Sequence, residues 1–117
     1  MNFFSKLILT AFCVSLLIGC QSDLQKKESF LENATRHYDA AEFRKAQIQL
    51  QNAIKIDPEY IPAYHLLAKS MLKLGNLKGA FSVYNKIVQL DSQDLEAQSR
   101  LAEFLILGKK LELAMDK

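Results

Sequence analysis

The side chains that could perform chemistry are few and widely separated. His37 and His65 lie far apart in the chain, and no third side chain is spaced to complete a metal site with them. A serine nucleophile needs a base and an orienting acid, and Ser70, Ser82 and Ser99 have no such neighbours. The four glycines are scattered and form no phosphate-binding loop. The sequence therefore predicts no enzyme: no catalytic residue, metal site, cofactor or small-molecule substrate.

One spacing does indicate binding chemistry. His65, Lys69 and Lys73 follow one another at intervals of four, which places them on one face if the segment is helical. A ladder of lysines could bind the carboxylates of a peptide or of an acidic protein. The alternative is a charged face that contacts only solvent. The formal net charge of +2 gives no reason to expect nucleic acid.

The elements that must position these residues repeat along the chain. Small and apolar residues recur at a step of 34, and Asp57 and Asp91 keep the same step. A period of this length, with helix–turn–helix content, is typical of stacked helical hairpins that bury their apolar faces against their neighbours. The small residues would mark the close helix crossings; they are Ala34, Ala68, Ala102 and Ala46, Ala80, Ala114.

The middle copy carries a resemblance to a known family. Tyr64-x2-Leu67-Ala68-x2-Met71, Gly75-Asn76-Leu77-x2-Ala80 and Tyr84-x2-Ile87-x3-Asp91 resemble a tetratricopeptide repeat. The resemblance covers roughly residues 29–117. It implies an all-α solenoid of about two and a half to three helical hairpins, in repeats at about 29–60, 61–94 and 95–117, the last one truncated.

The resemblance also implies a groove and a partner. The first helix of each hairpin lines the groove in this family, so Tyr38, Arg100 and Glu103 are expected to border it together with His65, Lys69 and Lys73. The partner would be a protein or a peptide. Some relatives bind chaperone C-termini through lysine and asparagine in the first repeat, but Leu31 and Thr35 occupy those places here.

The boundaries of the helices are also predicted. The first helix is expected from Ser29 to Asp39, after a polar tether over residues 20–28, and Ala40-Ala41 is expected to turn the chain. Asp57-Pro58 should end the second helix, because proline disfavours helix in the residue before it. Gly108 is expected to break the helix that starts near Leu95, with a further helix beginning at 109–117.

The end of the chain is predicted to expose apolar side chains. A solenoid needs a polar closing helix, because its last repeat otherwise leaves its stacking face bare. The affected residues would be Leu107, Leu111, Ala114 and Met115. A longer repeat array that continues beyond this chain is the favoured explanation, and a partner that covers the face is the alternative.

The start of the chain is typical of a targeting segment. Lys6 precedes an apolar run of 12 residues, at 7–18, which suits a signal core. Leu17-Ile18-Gly19-Cys20 resembles the bacterial lipobox, which implies a signal peptide over 1–19 and a lipid on Cys20. Gln21 then favours the outer membrane, facing the periplasm. The alternatives are an ordinary secretory signal or an uncleaved anchor.

These features predict a membrane-anchored protein–protein interaction scaffold of the bacterial cell envelope. The run at 43–53 is similar to the opening repeat of large tetratricopeptide lipoproteins of exopolysaccharide and PEP-CTERM systems, and short pilus-assembly lipoproteins share the layout. One alternative is the docking module of a longer envelope protein. Another is a truncated product without activity of its own.

Overall fold

The chain forms a row of α-helices. The computed structural model describes residues 2–3 and 22–116, and no strand occurs in that part of the chain. Residues 22–116 form five helices: α1 (Asp23–Asp39), α2 (Phe43–Ile56), α3 (Ile61–Lys73), α4 (Leu77–Leu90) and α5 (Leu95–Met115). The first four form two helical hairpins, and α5 packs against α4. The predicted signal peptide and Cys20 lie outside the described residues, apart from residues 2–3.

Each hairpin turns through the same backbone motif. Ala41 and Gly75 adopt left-handed φ values of 58° and 76°, and they are 34 residues apart. In each turn the next N–H donates to the carbonyl five residues back, at 2.8 Å to His37 and 2.9 Å to Met71. These bonds satisfy carbonyls that the end of a helix leaves without partners. The turn predicted at Ala40-Ala41 is confirmed, and its counterpart at Gly75 has the same form.

The connection between hairpins also repeats. Asp57 and Asp91 follow the last residues of α2 and α4 in extended conformation. Each carboxylate accepts a hydrogen bond at 3.0 Å from the N–H two residues later. Aspartate favours such turns because its short side chain can bond its own backbone. Pro62 sits in the first turn of α3, where a missing N–H costs little.

The repeating alanines of the first two hairpins lie in the core. Ala34, Ala46, Ala68 and Ala80 are fully buried, as the repeat spacing predicts. Larger side chains surround them in two clusters, one with buried residues of α1, α2 and α3 and one with buried residues of α3, α4 and α5. Three partly buried residues pack against both clusters and join them into one continuous core: Ile54, Met71 and Val83. Stacking thus buries apolar surface that one hairpin alone would expose.

The first helix begins earlier than predicted. The hydroxyl of Ser22 accepts a hydrogen bond from the N–H of Gln25, and the Gln25 side chain accepts one from the N–H of Ser22. This capping box starts α1 at Asp23, so most of the predicted tether is helical. Lys27 then reaches Asp57 at 2.5 Å and lies 4.6 Å from the centre of the Tyr60 ring. The hydrogen bond to Asp57 raises the pKa of Lys27.

The break predicted at Gly108 is wrong. The helix α5 runs without interruption from Leu95 to Met115, and Gly108 lies within it. The position that follows Ala41 and Gly75 by the repeat step is Lys109, so the glycine stands one residue too early to take the left-handed conformation. A glycine within a helix is tolerated at a cost of about 1 kcal/mol.

The third hairpin therefore does not form within the described residues. Ala102 and Ala114 were expected at a close helix crossing, but both are exposed. The expectation of bare apolar residues is confirmed, since 46% of Leu107, 57% of Leu111 and 85% of Met115 is exposed. The architecture is two hairpins followed by one long helix.

Candidate functional site

The first helices of the hairpins share one open groove with α5. Tyr38 from α1, Lys69 and Lys73 from α3 and Arg100 from α5 line it, with Leu72 between the charged groups. Its volume is about 460 Å³. Four of the six predicted site residues thus line one depression, which we call the basic groove. It is large enough for several side chains of an extended segment.

The cations of the basic groove differ in their partners. Lys69 pairs with Glu96 at 3.1 Å, and Arg100 pairs with Glu103 at 3.0 Å on the same helix. The bond to Glu103 raises the pKa of Arg100. Within residues 22–116, Lys73 has no carboxylate at ion-pairing distance, and its side chain is exposed. Lys73 is therefore the cation most available to a ligand.

His65 has a different role from the one its spacing suggests. Its Nε2 lies 2.7 Å from Oδ2 of Asp94, and 18% of its side chain is exposed. Oδ1 of Asp94 accepts the N–H of Ala97 at 2.9 Å and thereby caps α5. Burial raises the pKa of Asp94, but the bonds from Ala97 and His65 outweigh it, and the pKa lies below its usual value. His65 holds the start of α5 against α3 and does not line the basic groove.

Glu103 and Tyr38 lie at the margins of the site. Glu103 borders a smaller depression of about 140 Å³ beside the basic groove, together with Arg100 and Phe104. The Tyr38 ring packs edge-on against Phe43, with 5.3 Å between the ring centres. This contact fixes the ring at one end of the groove. An edge-to-face pair of this kind contributes about 0.5–1.5 kcal/mol beyond its burial.

Sequence reasoning missed two members of the site. Glu96 neutralises Lys69, and Leu72 supplies the apolar surface between the lysines and Arg100. An acid in the first turn of a helix is a common feature, so Glu96 gave no distinct signal. Its pairing depends on how α5 packs across α3, which no local spacing encodes. Leu72 could have been found, because it adjoins Lys73 on the predicted helix.

The described part of the chain has neither a cluster of metal ligands nor a helix that could span a membrane. Residues 2–3 and 22–116 contain no group of three or more side chains placed to hold a metal ion. None of the helices formed by these residues has the length and apolar character that crossing a bilayer requires. The arrangement that remains is an open, mainly basic surface with aromatic and apolar parts. Such a surface can bind an extended segment of a partner.

Comparison with known proteins gives the fold. No protein-family model matches this sequence, and no curated protein matches it. A solved structure of the Hsp90 co-chaperone Cns1 from Saccharomyces cerevisiae (delta69) matches with a TM-score of 0.72 and 16% identity. The match covers 90% of this chain and 34% of that one, so the chain spans about a third of the length of its structural neighbour. Cns1 is a tetratricopeptide co-chaperone. The chain therefore has an all-α, tetratricopeptide-like helical solenoid fold.

Proposed function

We propose that this chain is a docking module that binds an acidic segment of a partner protein, and that a lipid on Cys20 holds it in the bacterial cell envelope. The observation that carries the proposal is the basic groove, in which three helices bring Tyr38, Lys69, Lys73 and Arg100 to one depression. The module binds and does not catalyse. The tetratricopeptide-like fold supports this role, since stacked helical hairpins form extended binding surfaces.

The charges of the groove favour a carboxylate ligand. Glu96 and Glu103 already neutralise Lys69 and Arg100, while Lys73 lacks an acid among the described residues. A carboxylate beside Lys73 would gain a cation without displacing an existing ion pair. Leu72 and Tyr38 could then contact an apolar or aromatic residue next to the acid. A short motif with one acid and one large apolar residue fits this arrangement.

The Hsp90 C-terminus is not the proposed ligand. Leu31 and Thr35 stand where a basic clamp would need lysine and asparagine, and neither carries a charge. The Thr35 hydroxyl donates to the backbone carbonyl of Leu31 at 2.9 Å, within its own helix. The similarity to the co-chaperone Cns1, at 16% identity, shows a shared fold and no shared ligand.

The anchor is proposed from the sequence. Leu17-Ile18-Gly19-Cys20 has the pattern of a bacterial lipobox, and Gln21 after the cysteine favours the outer membrane facing the periplasm. Two or more acyl chains hold a protein on a bilayer far more firmly than one. The likeness of residues 43–53 to envelope lipoproteins leads us to propose a role in exopolysaccharide export or protein sorting.

The test of the groove uses one matched pair of lysines. Lys73 lies in the groove, whereas Lys86 is exposed on α4 and lies outside it. We expect a labelled peptide rich in aspartate, glutamate and tyrosine to bind the protein, measured by fluorescence anisotropy. Lys73→Glu should raise Kd about tenfold, because it replaces one surface attraction with a repulsion, each up to about 1 kcal/mol.

The control separates the groove from general charge. Lys86→Glu changes the net charge of the protein equally and should leave Kd within about twofold. Equal losses in both variants would mean that the peptide senses only net charge. No binding of the acidic peptide, or no loss in Lys73→Glu, would remove the basic groove from the proposed function.

A further inference from the structure

The inward face of α5 continues beyond the helices that cover it. Residues on this face follow one another at alternating steps of four and three, the spacing by which helices pack side by side. They are Ala97, Leu101, Phe104, Gly108, Leu111 and Met115. Ala97 is fully buried, and Leu101 and Phe104 pack against the second cluster of the core. By contrast, 57% of Leu111 and 85% of Met115 is exposed.

A groove lies beside the uncovered part of this face. Leu77 and Phe81 from α4 form one wall, and Phe104, Leu105 and Gly108 from α5 form the other. The volume of this groove, which we call the α5 groove, is about 650 Å³. Phe81 and Phe104 meet edge-to-face, with ring centres 5.7 Å apart. A side chain added at Gly108 would contact nothing within 4 Å, so another helix can approach the backbone closely there.

The repeat register shows which buried residues correspond to the exposed segment 109–115. Leu111 and Ala114 are the counterparts, one step later, of Leu77 and Ala80. Ala80 is fully buried in the hairpin where α4 packs against α3. The segment 109–115 thus has the residues of a second hairpin helix. Because α5 is continuous, this segment cannot fold back onto the residues that precede Gly108.

We propose that a second copy of this chain covers the α5 groove. The α5 helices of the two copies cross antiparallel near Gly108, and Leu111 and Met115 of each copy enter the α5 groove of the other. Each chain carries both the groove and the segment that fits it, which is what a two-fold symmetric interface requires. The hairpin that one chain does not close is then closed between two chains.

The charges at the edge of the groove agree with this pairing. Lys78, Lys109 and Glu112 flank the apolar walls, and Glu112 also lies on the segment that enters. In a two-fold arrangement Glu112 of each copy comes to an edge of the other copy that carries two cations and one acid, and therefore a net positive charge. Because α5 carries both a basic residue, Lys109, and an acidic residue, Glu112, near its end, it can pair with an antiparallel copy of itself. A partner with a run of acidic residues would be repelled by Glu112 and would bind the groove less tightly.

The experiment compares two leucines with the same exposure. Leu111 and Leu113 are both 57% exposed, but two residues along a helix turn the side chain to the opposite side. The full chain in detergent is studied by sedimentation equilibrium, with helix content checked by circular dichroism. We expect a dimer whose dissociation constant rises at least tenfold in Leu111→Asp, which corresponds to 1.4 kcal/mol. Leu113→Asp should leave that constant within about twofold.

Several results would overturn the proposal. A monomer at all concentrations would do so, and so would equal losses in Leu111→Asp and Leu113→Asp, which indicate a general apolar effect. Retention of the dimer in Leu111→Asp would place the contact elsewhere, for example in the apolar residues 7–18. Cysteines introduced at Phe81 and Leu111, with Cys13 and Cys20 replaced, should form a disulfide between chains. A disulfide within one chain would mean that 109–115 folds back at Gly108.

Discussion

The two left-handed turns allow a direct test of how the hairpins are closed. Ala41 and Gly75 occupy the same place in successive repeats, with φ values of 58° and 76°. Both are exposed, so exchanging alanine and glycine there removes no packing. Ala40 provides the control, since it is also exposed but has an ordinary φ of −83°. The three changes are Ala41→Gly, Gly75→Ala and Ala40→Gly.

The magnitude follows from two opposing effects. A residue with a Cβ costs about 1–2 kcal/mol in the left-handed conformation. Glycine costs about 0.5–1 kcal/mol, because the unfolded chain gains freedom. Ala41→Gly should therefore raise the free energy of unfolding by about 0.5–1 kcal/mol, and Gly75→Ala should lower it by a similar amount. Ala40→Gly relieves no strain and should lower it by about 0.5–1 kcal/mol.

The assay is urea and thermal unfolding followed by circular dichroism. For a domain of this size the gain in Ala41→Gly corresponds to a rise in Tm of about 2–8 °C. Two neighbouring alanines replaced by glycine should thus change stability in opposite directions. If Ala41→Gly and Ala40→Gly destabilise equally, the left-handed turn at Ala41 carries no strain and the account of the first hairpin is wrong.

The remaining predictions concern the core and the anchor. Ala68→Phe should lower the free energy of unfolding by about 1–3 kcal/mol or more, because it overpacks a fully buried helix crossing. Ala102→Phe lies one repeat step later at an exposed position and should have little effect in the same unfolding assay. Equal tolerance at both positions would mean that Ala68 does not mark the crossing. Cys20→Ala should leave an unprocessed precursor that takes up no radioactive palmitate, with Cys13→Ala processed normally; labelling that persists in Cys20→Ala would count against the lipobox.

The repeat spacing predicted the core because small residues that recur at a fixed step mark the places where two helices cross closely. Ala34, Ala46, Ala68 and Ala80 are all fully buried, as their step of 34 required. The prediction of a third hairpin was wrong because of one residue. The glycine at 108 precedes the turn position, and Lys109 at that position favours continuing the helix. The repeat step reveals the displacement of one residue, but it does not show whether the turn moves with the glycine or the helix continues.

The candidate site was predicted only in part, for a similar reason. Lys69 and Lys73 lie four apart on one helix, so their sequence spacing fixed their common face. The partners of Lys69 and His65 come from the start of α5, and both depend on packing between repeats. His65 was assigned to the groove because it shares the spacing of the lysines, but its bond to Asp94 takes it into the contact between α3 and α5.

The capping box at Ser22 limits how the module can move if Cys20 carries a lipid. Only three residue steps separate Cys20 from Asp23, the first residue of α1, and they span at most about 10 Å. A protein fastened so closely can pivot on its attachment point but cannot search the space between two membranes. It would capture ligands delivered to the surface of its own bilayer, such as the juxtamembrane tails of neighbouring proteins, and would remain out of reach of those that diffuse farther away.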